Sequence, residues 1–347
     1  MIRVLVVDDS AFMRKLLTDF IEEQPDMTVA ATARNGRDAL LKLEIITVDV
    51  ITLDVEMPKL NGIETLQAIM NTFRIPVVMV SSLTSEGARH TLRALEIGAV
   101  DVIAKPSGSF SPDLYKIKKE LTAKLRAASG ANLSSANIIH RQNIEPIVFE
   151  EVVLPANRII AIGTSTGGPK ALQHILPLLD THVDAPIVIV QHMPSTFTRS
   201  LAERLNQLSS IIVKEASDAE IIQKGTAYIA PGGKHLRIIN MGSALVTKVT
   251  EDMPVNGHRP SVDVLFSSLS SLKNWGVVAV VLTGMGSDGK EGLIRIKAER
   301  TSISISESRE TAVVYGMPKA AREEAGADIS LRLHEIAPFI NHYFKKD

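Results

Sequence analysis

The sequence predicts an α/β protein of two domains, and three observations support this class. The chain has 347 residues, about twice the length of a typical domain. Short runs of Val, Ile and Leu alternate with helical periodicity in both halves, the pattern of parallel sheets covered by helices. Between the halves lies a stretch rich in Ser, Asn and small residues, SGANLSSANIIHRQNIEP, which is typical of a linker. We expect a first domain over 1–122, a linker over 123–157 and a second domain over 158–347.

The composition excludes several classes of protein. Apolar residues make up 45% and charged residues 22%, which rules out wholesale disorder. The net charge of −1 indicates no general attraction to nucleic acid. Without cysteine the chain has no disulfide and no Cys-ligated zinc, which suits a reducing compartment. No apolar run approaches the ~20 residues of a membrane span, and MIRVLVVDD is unlike a secretory signal. We therefore expect a cytoplasmic location, no membrane insertion and no nucleic-acid partner.

The first domain is predicted to be a doubly wound, five-stranded parallel sheet. Near-continuous aliphatic runs indicate strands whose two faces are both covered. These strands are 2–7, 27–32, 50–53, 77–80 and 100–104. Helical periodicity predicts helices over 11–23, 36–43, 62–71, 86–97 and 113–127. The functional crevice of such a sheet is expected beyond the carboxyl ends of its strands.

Chemically reactive side chains follow four of these strands. Asp8 and Asp9 end the first strand and Asp54 ends the third, at adjacent positions of the expected sheet. Three carboxylates at one edge repel one another unless a hard cation such as Mg²⁺ lies among them. Ser81 and Lys105 end the fourth and fifth strands, where they could bind phosphoryl oxygens. The set predicts phosphoryl transfer to Asp54. The alternative for Asp9 is that it only caps the following helix.

The segments VLVVDDS, ITLDVEMPKLNG, VMVSS and AKP, in this order, resemble the receiver domain of bacterial two-component response regulators. That domain has a flavodoxin-like fold, and the resemblance extends over the whole first domain. It implies that a partner histidine kinase phosphorylates Asp54. It also implies that Asp8, Asp9 and Asp54 hold Mg²⁺ together with the backbone carbonyl of Glu56. Val102 stands where many receivers carry a switching aromatic, so no aromatic relay is expected.

The second domain is predicted to be an α/β domain with a mostly parallel sheet. The expected strands are 159–163, 187–191, 226–230, 236–240, 244–249 and 277–282. The expected helices are 169–179, 195–208, 261–273, 289–298 and 318–325. The short connection at 240–243 predicts a hairpin, so we expect the sheet to be mixed.

A serine lies in a glycine-rich turn after the first strand of the second domain. The segment GTSTGGP satisfies G-x-S-x-G, a sharp turn that presents the Ser165 hydroxyl above the edge of a sheet. A glycine-rich turn before a helix could instead bind phosphate. It is not a Walker A loop, because Pro169 stands where that motif needs lysine. Ser165 is therefore our candidate nucleophile.

A nucleophilic serine needs a base and an orienting carboxylate. His192 follows the next strand, where neighbouring parallel strands end side by side. We prefer it to His174, which lies in a predicted helix, and to His235 and His258, which lie in loop-like segments. Asp288 follows another buried strand in a second glycine-rich turn. The alternative for Asp288 is that it caps the helix after it.

The chain order of this candidate triad is unusual. The order Ser165, His192, Asp288 differs from that of α/β-hydrolases, where the acid precedes the histidine. A plain α/β-hydrolase is therefore excluded. Asp263 opens another helix, and there capping alone explains an aspartate.

The segments IGTSTGGP, QHMP, YIAPGGKH and LTGMGSDG, in this order, resemble the catalytic domain of the CheB family of chemotaxis protein-glutamate methylesterases. That family joins this domain to a receiver, as this chain does. The resemblance implies that Ser165, His192 and Asp288 are catalytic. Met285 stands where the oxyanion-hole amide of the family lies, and Thr166, directly after the nucleophile, is assigned to the same site.

The resemblance implies a hydrolase that phosphorylation activates. Its expected substrates are γ-glutamyl methyl esters on methyl-accepting chemotaxis receptors, with release of methanol, and selected receptor glutamines. Mg²⁺ is expected in the receiver, and no cofactor is expected for the esterase reaction. Our hypothesis is that the unphosphorylated receiver covers the Ser165 crevice. Two other classes stay open at this point: a response regulator whose output binds nucleic acid, which the balanced charge disfavours, and a non-catalytic adaptor that binds receptors.

Overall fold

The computed structural model describes residues 1–105, 114–133, 152–181, 183–242 and 244–344. Contacts within the chain divide it into two compact units, Met1–Leu133 and Ser134–Asp347. Each unit has a parallel sheet of its own, as the α/β class requires. No described helix is both long and apolar enough to cross a lipid bilayer.

The first unit contains a five-stranded parallel sheet in the order β2-β1-β3-β4-β5. Its strands are nearly those that the aliphatic runs predict, and those of the sheet interior are buried on both faces. The strands are β1 (Ile2–Val7), β2 (Met27–Ala33), β3 (Val50–Asp54), β4 (Val77–Ser81) and β5 (Asp101–Ala104).

Helices connect these strands, and polar side chains begin four of them. The helices are α1 (Ala11–Glu22), α2 (Gly36–Leu43), α3 (Gly62–Thr72), α4 (Ser85–Ile97) and α5 (Leu114–Ser129). Ser10 caps α1, because its hydroxyl accepts the N–H of Met13 at 3.3 Å. The alternative that Asp9 caps this helix is therefore wrong. Residue 113, where the sequence predicts the start of α5, lies outside the described residues.

The second unit contains a seven-stranded, wholly parallel sheet in the order β14-β13-β12-β6-β7-β9-β8. Its strands are β6 (Arg158–Thr164), β7 (Ile187–Gln191), β8 (Ile212–Glu215), β9 (Thr226–Ile229), β12 (Gly276–Val281), β13 (Ser302–Glu307) and β14 (Ile329–Leu331). The helices are α6 (Gly168–Ile175), α7 (Ser195–Leu208), α8 (Val262–Ser270), α9 (Lys290–Glu299), α10 (Met317–Glu323) and α11 (Leu333–Tyr343). A 3₁₀ turn, Leu176–Leu178, extends α6.

The predicted hairpin is present, but it does not belong to the main sheet. Strands β10 (His235–Met241) and β11 (Ala244–Thr250) pair antiparallel in a sheet of their own. Leu236 and Leu245 are buried in the same core as Leu265 of α8, so the hairpin packs against that helix. The expectation of a mixed main sheet is therefore wrong. Residue 243, in the turn, lies outside the described residues.

Four elements of the second unit are absent from the sequence prediction. Strand β8 lies at the edge of the sheet and β14 has three residues, so neither has a long apolar run. Strand β13 reads SISISE, an alternation typical of a half-exposed strand. Helix α11 contains Pro338, which normally interrupts a helical pattern.

The expected linker is partly structured at both ends. Helix α5 continues to Ser129, so residues 123–129 are helical rather than linker. At the other end, the carbonyl of Val152 accepts a hydrogen bond from the Tyr343 hydroxyl. A Cβ on Gly276 would lie 2.9 Å from Pro155, which shows how closely this segment packs on β12. Residues 152–155 therefore pack on the second unit, and residues 134–151 lie outside the description.

Candidate active site

Three carboxylates meet at the carboxyl edge of the first sheet. Asp8 and Asp9 directly follow β1, and Asp54 is the last residue of the neighbouring strand β3. One ligand oxygen from each lies within 4.8 Å of those of the other two. Asp8 and Asp54 are buried and Asp9 is exposed. The structure therefore brings together the acidic residues that the strand ends predict.

A lysine lies against these carboxylates. The Lys105 ammonium is 2.7 Å from Asp54 Oδ2 and 3.6 Å from Asp8 Oδ2. Burial raises the pKa of Asp54 to about 6, although the hydrogen bond from Lys105 opposes this. Burial also raises the pKa of Asp8. Ser81 is fully buried at the end of β4, and its hydroxyl donates to the carbonyl of Gly87 at 3.3 Å.

The donor set fits a hard divalent cation. All the available ligands are oxygens, the donors that Mg²⁺ prefers. Asp8 Oδ2 is buried and accepts no hydrogen bond among the described residues, and its nearest described cation is the Lys105 ammonium at 3.6 Å, so this oxygen can still coordinate a metal ion. Glu56 lies beside the cluster, because its N–H donates to Asp54 Oδ1 at 3.2 Å. The carboxylate of Glu56 accepts a hydrogen bond from the Ser82 hydroxyl instead. The contact of Glu56 with Asp54 is therefore made by its backbone.

In the second unit, Ser165 lies in a tight turn between β6 and α6. Its N–H donates to the carbonyl of Thr283 at 3.0 Å, and its own carbonyl accepts the Gly168 N–H at 2.8 Å. Gly167 has a φ of 79°, a left-handed conformation that glycine adopts without steric cost. Ser165 is 8% exposed. The glycine-rich turn thus places a serine at the carboxyl end of the central strand β6.

Gln191 braces the Ser165 turn against His192. Its side-chain amide donates to the carbonyl of Ser165 at 3.0 Å and to that of His192 at 3.2 Å. The His192 N–H also donates to the carbonyl of Thr164 at 3.2 Å. These bonds hold the ends of β6 and β7 together, and with them the two candidate residues.

His192 and Asp288 are directly hydrogen-bonded. The Nε2 atom of His192 lies 2.8 Å from Asp288 Oδ2. His192 Nδ1 is buried and has no hydrogen-bond partner among the described residues. Among the described residues, no hydrogen bond joins the Ser165 hydroxyl to His192. Gln191 therefore links the backbones of these two residues, and not their side chains, in this conformation.

Asp288 accepts four hydrogen bonds from the residues that the structure describes. Besides His192, the donors are the Ser261 hydroxyl at 2.8 Å, the Val262 N–H at 2.7 Å and the Asp263 N–H at 3.0 Å. Burial alone would raise the pKa of Asp288, but the bond and charge of His192 and the backbone donors outweigh it. They hold this pKa well below its ordinary value. Asp288 is thus held as a carboxylate.

Asp263 and Asp288 do not cap the helices that the sequence assigns to them; each accepts N–H groups of the other's helix. Asp288 does not cap the helix after it but accepts N–H groups at the start of α8. The start of α9 is instead satisfied by Asp263, which accepts the N–H groups of Gly289 and Gly292. Helix α8 is also capped by the Ser261 hydroxyl. Asp263 therefore does more than open its own helix.

The other histidines have different positions. His258 stacks on His192, with ring centroids 3.9 Å apart and an interplanar angle of 7°. His235 is buried and bonds through Nε2 to the carbonyl of Met253 at 3.1 Å. His174 lies on α6, where burial lowers its pKa. Of the three alternatives, only His258 contacts the candidate base through a described interaction.

The glycine-rich turn after β12 lies against the nucleophile turn. The Thr283 hydroxyl donates to the carbonyl of Thr166 at 2.9 Å, and the Thr283 N–H donates to Glu307 at 2.8 Å. Met285 follows in this turn, and its N–H has no acceptor in the described ranges. An unpaired N–H in this position is available to an oxyanion.

Several residues around the site carry no sequence signal strong enough to single them out. Gln191 shows only as a polar residue at the end of the apolar strand IVIVQ, although that position could have suggested a role. Thr283 and Glu307 act through contacts between elements that are far apart in the chain. Such contacts have no local pattern.

Fold and site together define a class of protein. One unit is a five-stranded parallel sheet with an acidic cluster and a lysine at its carboxyl edge. The other is a seven-stranded parallel sheet that presents a serine turn beside a His–Asp pair. The chain thus joins a unit built like a phosphoryl-accepting receiver to a unit built like a serine hydrolase.

Comparisons with known proteins identify the family. A family model described as CheB methylesterase matches residues 160–340, and one described as response regulator receiver domain matches residues 4–111. A Geobacillus kaustophilus protein named protein-glutamate methylesterase/protein-glutamine glutaminase is 52% identical over 98% of this chain and 97% of its own length. A Bacillus subtilis protein of the same name is 47% identical over 100% of this chain and 99% of its own length.

A crystal structure supports the same conclusion. The Thermotoga maritima CheB methylesterase catalytic domain matches with a TM-score of 0.52 and 40% sequence identity. The match covers 54% of this chain and 98% of that domain. This chain belongs to the CheB methylesterase family. The resemblance that the sequence motifs indicate, and the two-domain α/β class, are therefore confirmed.

Proposed function

We propose that this chain is a cytoplasmic protein-glutamate methylesterase and protein-glutamine glutaminase that acts on methyl-accepting chemotaxis receptors. The observation that carries the proposal is the 2.8 Å bond between His192 Nε2 and Asp288, beside the turn that holds Ser165. The names of full-length relatives at 52% and 47% identity support the activity. The proposed receiver domain spans 1–122 and the proposed catalytic domain spans 158–347.

The proposed chemistry is acyl transfer through Ser165. Its hydroxyl attacks the γ-carbonyl of a glutamyl methyl ester, and His192 accepts the hydroxyl proton. Because Nε2 bonds to Asp288, Nδ1 is the nitrogen left to take that proton. The ester C–O bond then breaks, and methanol leaves with the proton from His192. Water then hydrolyses the acyl-serine in the same way, which leaves a glutamate side chain on the receptor and regenerates the Ser165 hydroxyl. A glutamine side chain follows the same steps with ammonia as the leaving group.

The surrounding residues suit the charge that develops in these steps. The tetrahedral intermediate carries a negative oxygen, and the unpaired N–H of Met285 is the proposed donor to it. Thr166 follows the nucleophile, and its carbonyl is tied to Thr283, which holds the two turns together. The Asp288 carboxylate balances the positive charge that His192 acquires.

The receiver unit is proposed to control this activity through phosphorylation of Asp54 by a histidine kinase. Asp8, Asp9, Asp54 and the backbone carbonyl of Glu56 would hold Mg²⁺, which neutralises charge on phosphoryl oxygens when it is bound. Lys105, now paired with Asp54, would pair with a phosphoryl oxygen. Ser81 ends the adjacent strand and would donate to another.

The test is the Ser165→Ala variant of the full chain. Removing a triad nucleophile costs about 10⁴-fold or more in comparable enzymes, so we expect no measurable methanol release from methylated receptor. Phosphorylation of Asp54 by a small phosphodonor should persist, which shows that the receiver unit is folded, and an unchanged thermal unfolding profile shows the same for the catalytic unit. An organophosphonate should label the wild-type chain at Ser165 and leave the variant unlabelled. Turnover by the variant would remove Ser165 from the mechanism, and an unlabelled, inactive wild type would favour the adaptor.

A further inference from the structure

Asp263 is a second buried carboxylate directly behind Asp288. It is 6% exposed and lies at the second residue of α8. Its Oδ1 accepts the N–H groups of Gly289 at 3.0 Å and Gly292 at 2.8 Å, and its Oδ2 accepts the side-chain amide of Asn256 at 3.1 Å. None of these groups belongs to the proposed triad.

Asp263 and Asp288 cap each other's helices. Asp288, just before α9, accepts N–H groups at the start of α8, whereas Asp263, on α8, accepts N–H groups at the start of α9. The two helices touch closely at Gly292, where a Cβ would lie 2.5 Å from that of Phe266. Because of this reciprocal arrangement, the position of Asp263 is tied by hydrogen bonds to the turn that carries Asp288.

The pair also concentrates negative charge behind one imidazole. The titratable groups that face it are His192, bonded to Asp288, and His258, stacked on His192. Neither carboxylate has a Lys or Arg partner within the described ranges. Lys290 on α9 pairs with Glu291 and Glu324 instead.

The protonation of Asp263 depends on its surroundings in two opposing ways. Burial raises the pKa of Asp263 to about 6, and the charge of Asp288 adds to this, whereas the N–H groups of Gly289 and Gly292 oppose it. The charge of Asp288 therefore influences whether Asp263 is protonated.

We propose that Asp263 is a positioning residue of this active site, which holds the Asp288 turn through α9 and adds its charge to that of Asp288 in stabilising protonated His192. The catalytic consequence rests on the function proposed above. His192 must be neutral to accept a proton, and the negative charge of Asp263 favours its protonated form. The charge of Asp263 therefore raises the pH below which activity is lost.

The test compares the full-length, unphosphorylated wild type with Asp263→Asn from pH 5 to 9. Asparagine keeps an acceptor for Gly289 and Gly292 but carries no charge. We expect the acid limb of kcat/KM for methanol release to move to lower pH by about half to one unit, since one nearby negative charge is lost. The alkaline plateau should fall by less than about tenfold. Asp54 is present in both chains, so its titration cancels in the ratio.

A second readout does not need activity. The midpoint of the His192 imidazole titration, followed by NMR in both chains, should lie at lower pH in Asp263→Asn than in the wild type, because a nearby negative charge is lost. If the wild type releases no methanol, the proposed function fails, and this titration still decides the role of Asp263. An unchanged His192 titration, or a uniform loss of activity across pH, would overturn the proposal.

One further variant gives a second test, and another serves as the control. Asn256→Gly removes the one side-chain donor to Asp263 among the described residues, and glycine suits the φ of 52° at that position. It should raise the pKa of Asp263, so that less of its charge is present at a given pH and the acid limb of kcat/KM moves to lower pH, as in Asp263→Asn but by less. This variant tests the proposal even if Asp263→Asn fails to fold. Asp218→Asn alters an exposed aspartate that accepts the N–H of Val249, and it should leave both profiles unchanged.

Discussion

Gln191 occupies the space between the nucleophile turn and the candidate base. It is buried, and its amide donates to the carbonyls of Ser165 and His192. Neither bond involves a reacting atom. The distance over which a proton must pass nevertheless depends on the relative position of these two residues. A side chain that bonds only to backbone carbonyls around the site can therefore influence the rate.

Gln191→Leu removes both bonds at similar volume. Because a misplacement of about 1 Å can cost about 100-fold, we expect kcat to fall 10- to 100-fold with a smaller change in KM. Steady-state methanol release by the full chain measures both constants. Gln173→Leu, on α6 and without a described bond to the site, is the matched control and should keep normal kcat. Normal kcat in Gln191→Leu would show that the brace is dispensable.

The residues that could be predicted from the sequence share one property. Ser165, His192 and Asp288 each follow a buried apolar strand, and parallel strands carry their ends to one edge. Asp263 could not be predicted in this way, since it opens a helix where capping explains it. Its partners are N–H groups of α9, and no local pattern reports a contact between helices.

Strand β13 is an element that, like Asp263, could not be predicted from the local sequence. Its SISISE sequence alternates as a strand with one exposed face does, yet Ser304 and Ser306 are fully buried. The strand lies inside the sheet, between β12 and β14, and every residue after Ser302 is buried, so neither face is exposed. Ser304 is accommodated because its hydroxyl bonds to Asp328. Strands β1, β3, β4 and β7 could be predicted because they are apolar on both faces.

The last residue of β13, Glu307, is a fully buried carboxyl group. It accepts the Thr283 N–H at 2.8 Å and the Thr311 hydroxyl at 3.0 Å. Burial raises its pKa to about 7, above the ordinary value of 4.5. The folded state therefore holds a proton that the unfolded chain releases near pH 4.5. Stability from this group is complete below that pH and is lost as the pH rises through about 7.

Glu307→Gln should remove this pH dependence. At pH 8 the wild type contains a buried carboxylate without a cation, so the variant should be more stable by on the order of 2 kcal/mol. At pH 5 the gain should be much smaller. Thermal unfolding of both chains at the two pH values measures it, with a shift of several degrees expected at pH 8. The exposed Glu299→Gln is the control, and an equal effect at both pH values would contradict the argument.

At the scale of the whole molecule, the boundary between the units matters for any test of regulation. Val152 accepts the Tyr343 hydroxyl, and Pro155 packs on Gly276, so residues 152–155 contribute to the fold of the second unit. A catalytic fragment should therefore begin at Val152 rather than at the first strand. The Thermotoga maritima catalytic domain, known as a separate crystal structure, supports independent folding.

The hypothesis that the unphosphorylated receiver inhibits the catalytic unit predicts how this fragment behaves. Fragment 152–347 should release methanol faster than the unphosphorylated full chain by roughly 5- to 150-fold, the range of a typical allosteric coupling. A phosphodonor should raise the full chain toward the fragment's rate and should not change the fragment itself. Full-length Asp54→Asn should stay at the basal rate with or without phosphodonor, because it lacks the phosphoryl acceptor. If the fragment is no faster than the basal full chain, phosphorylation must act on the catalytic unit by creating an active arrangement rather than by relieving a block.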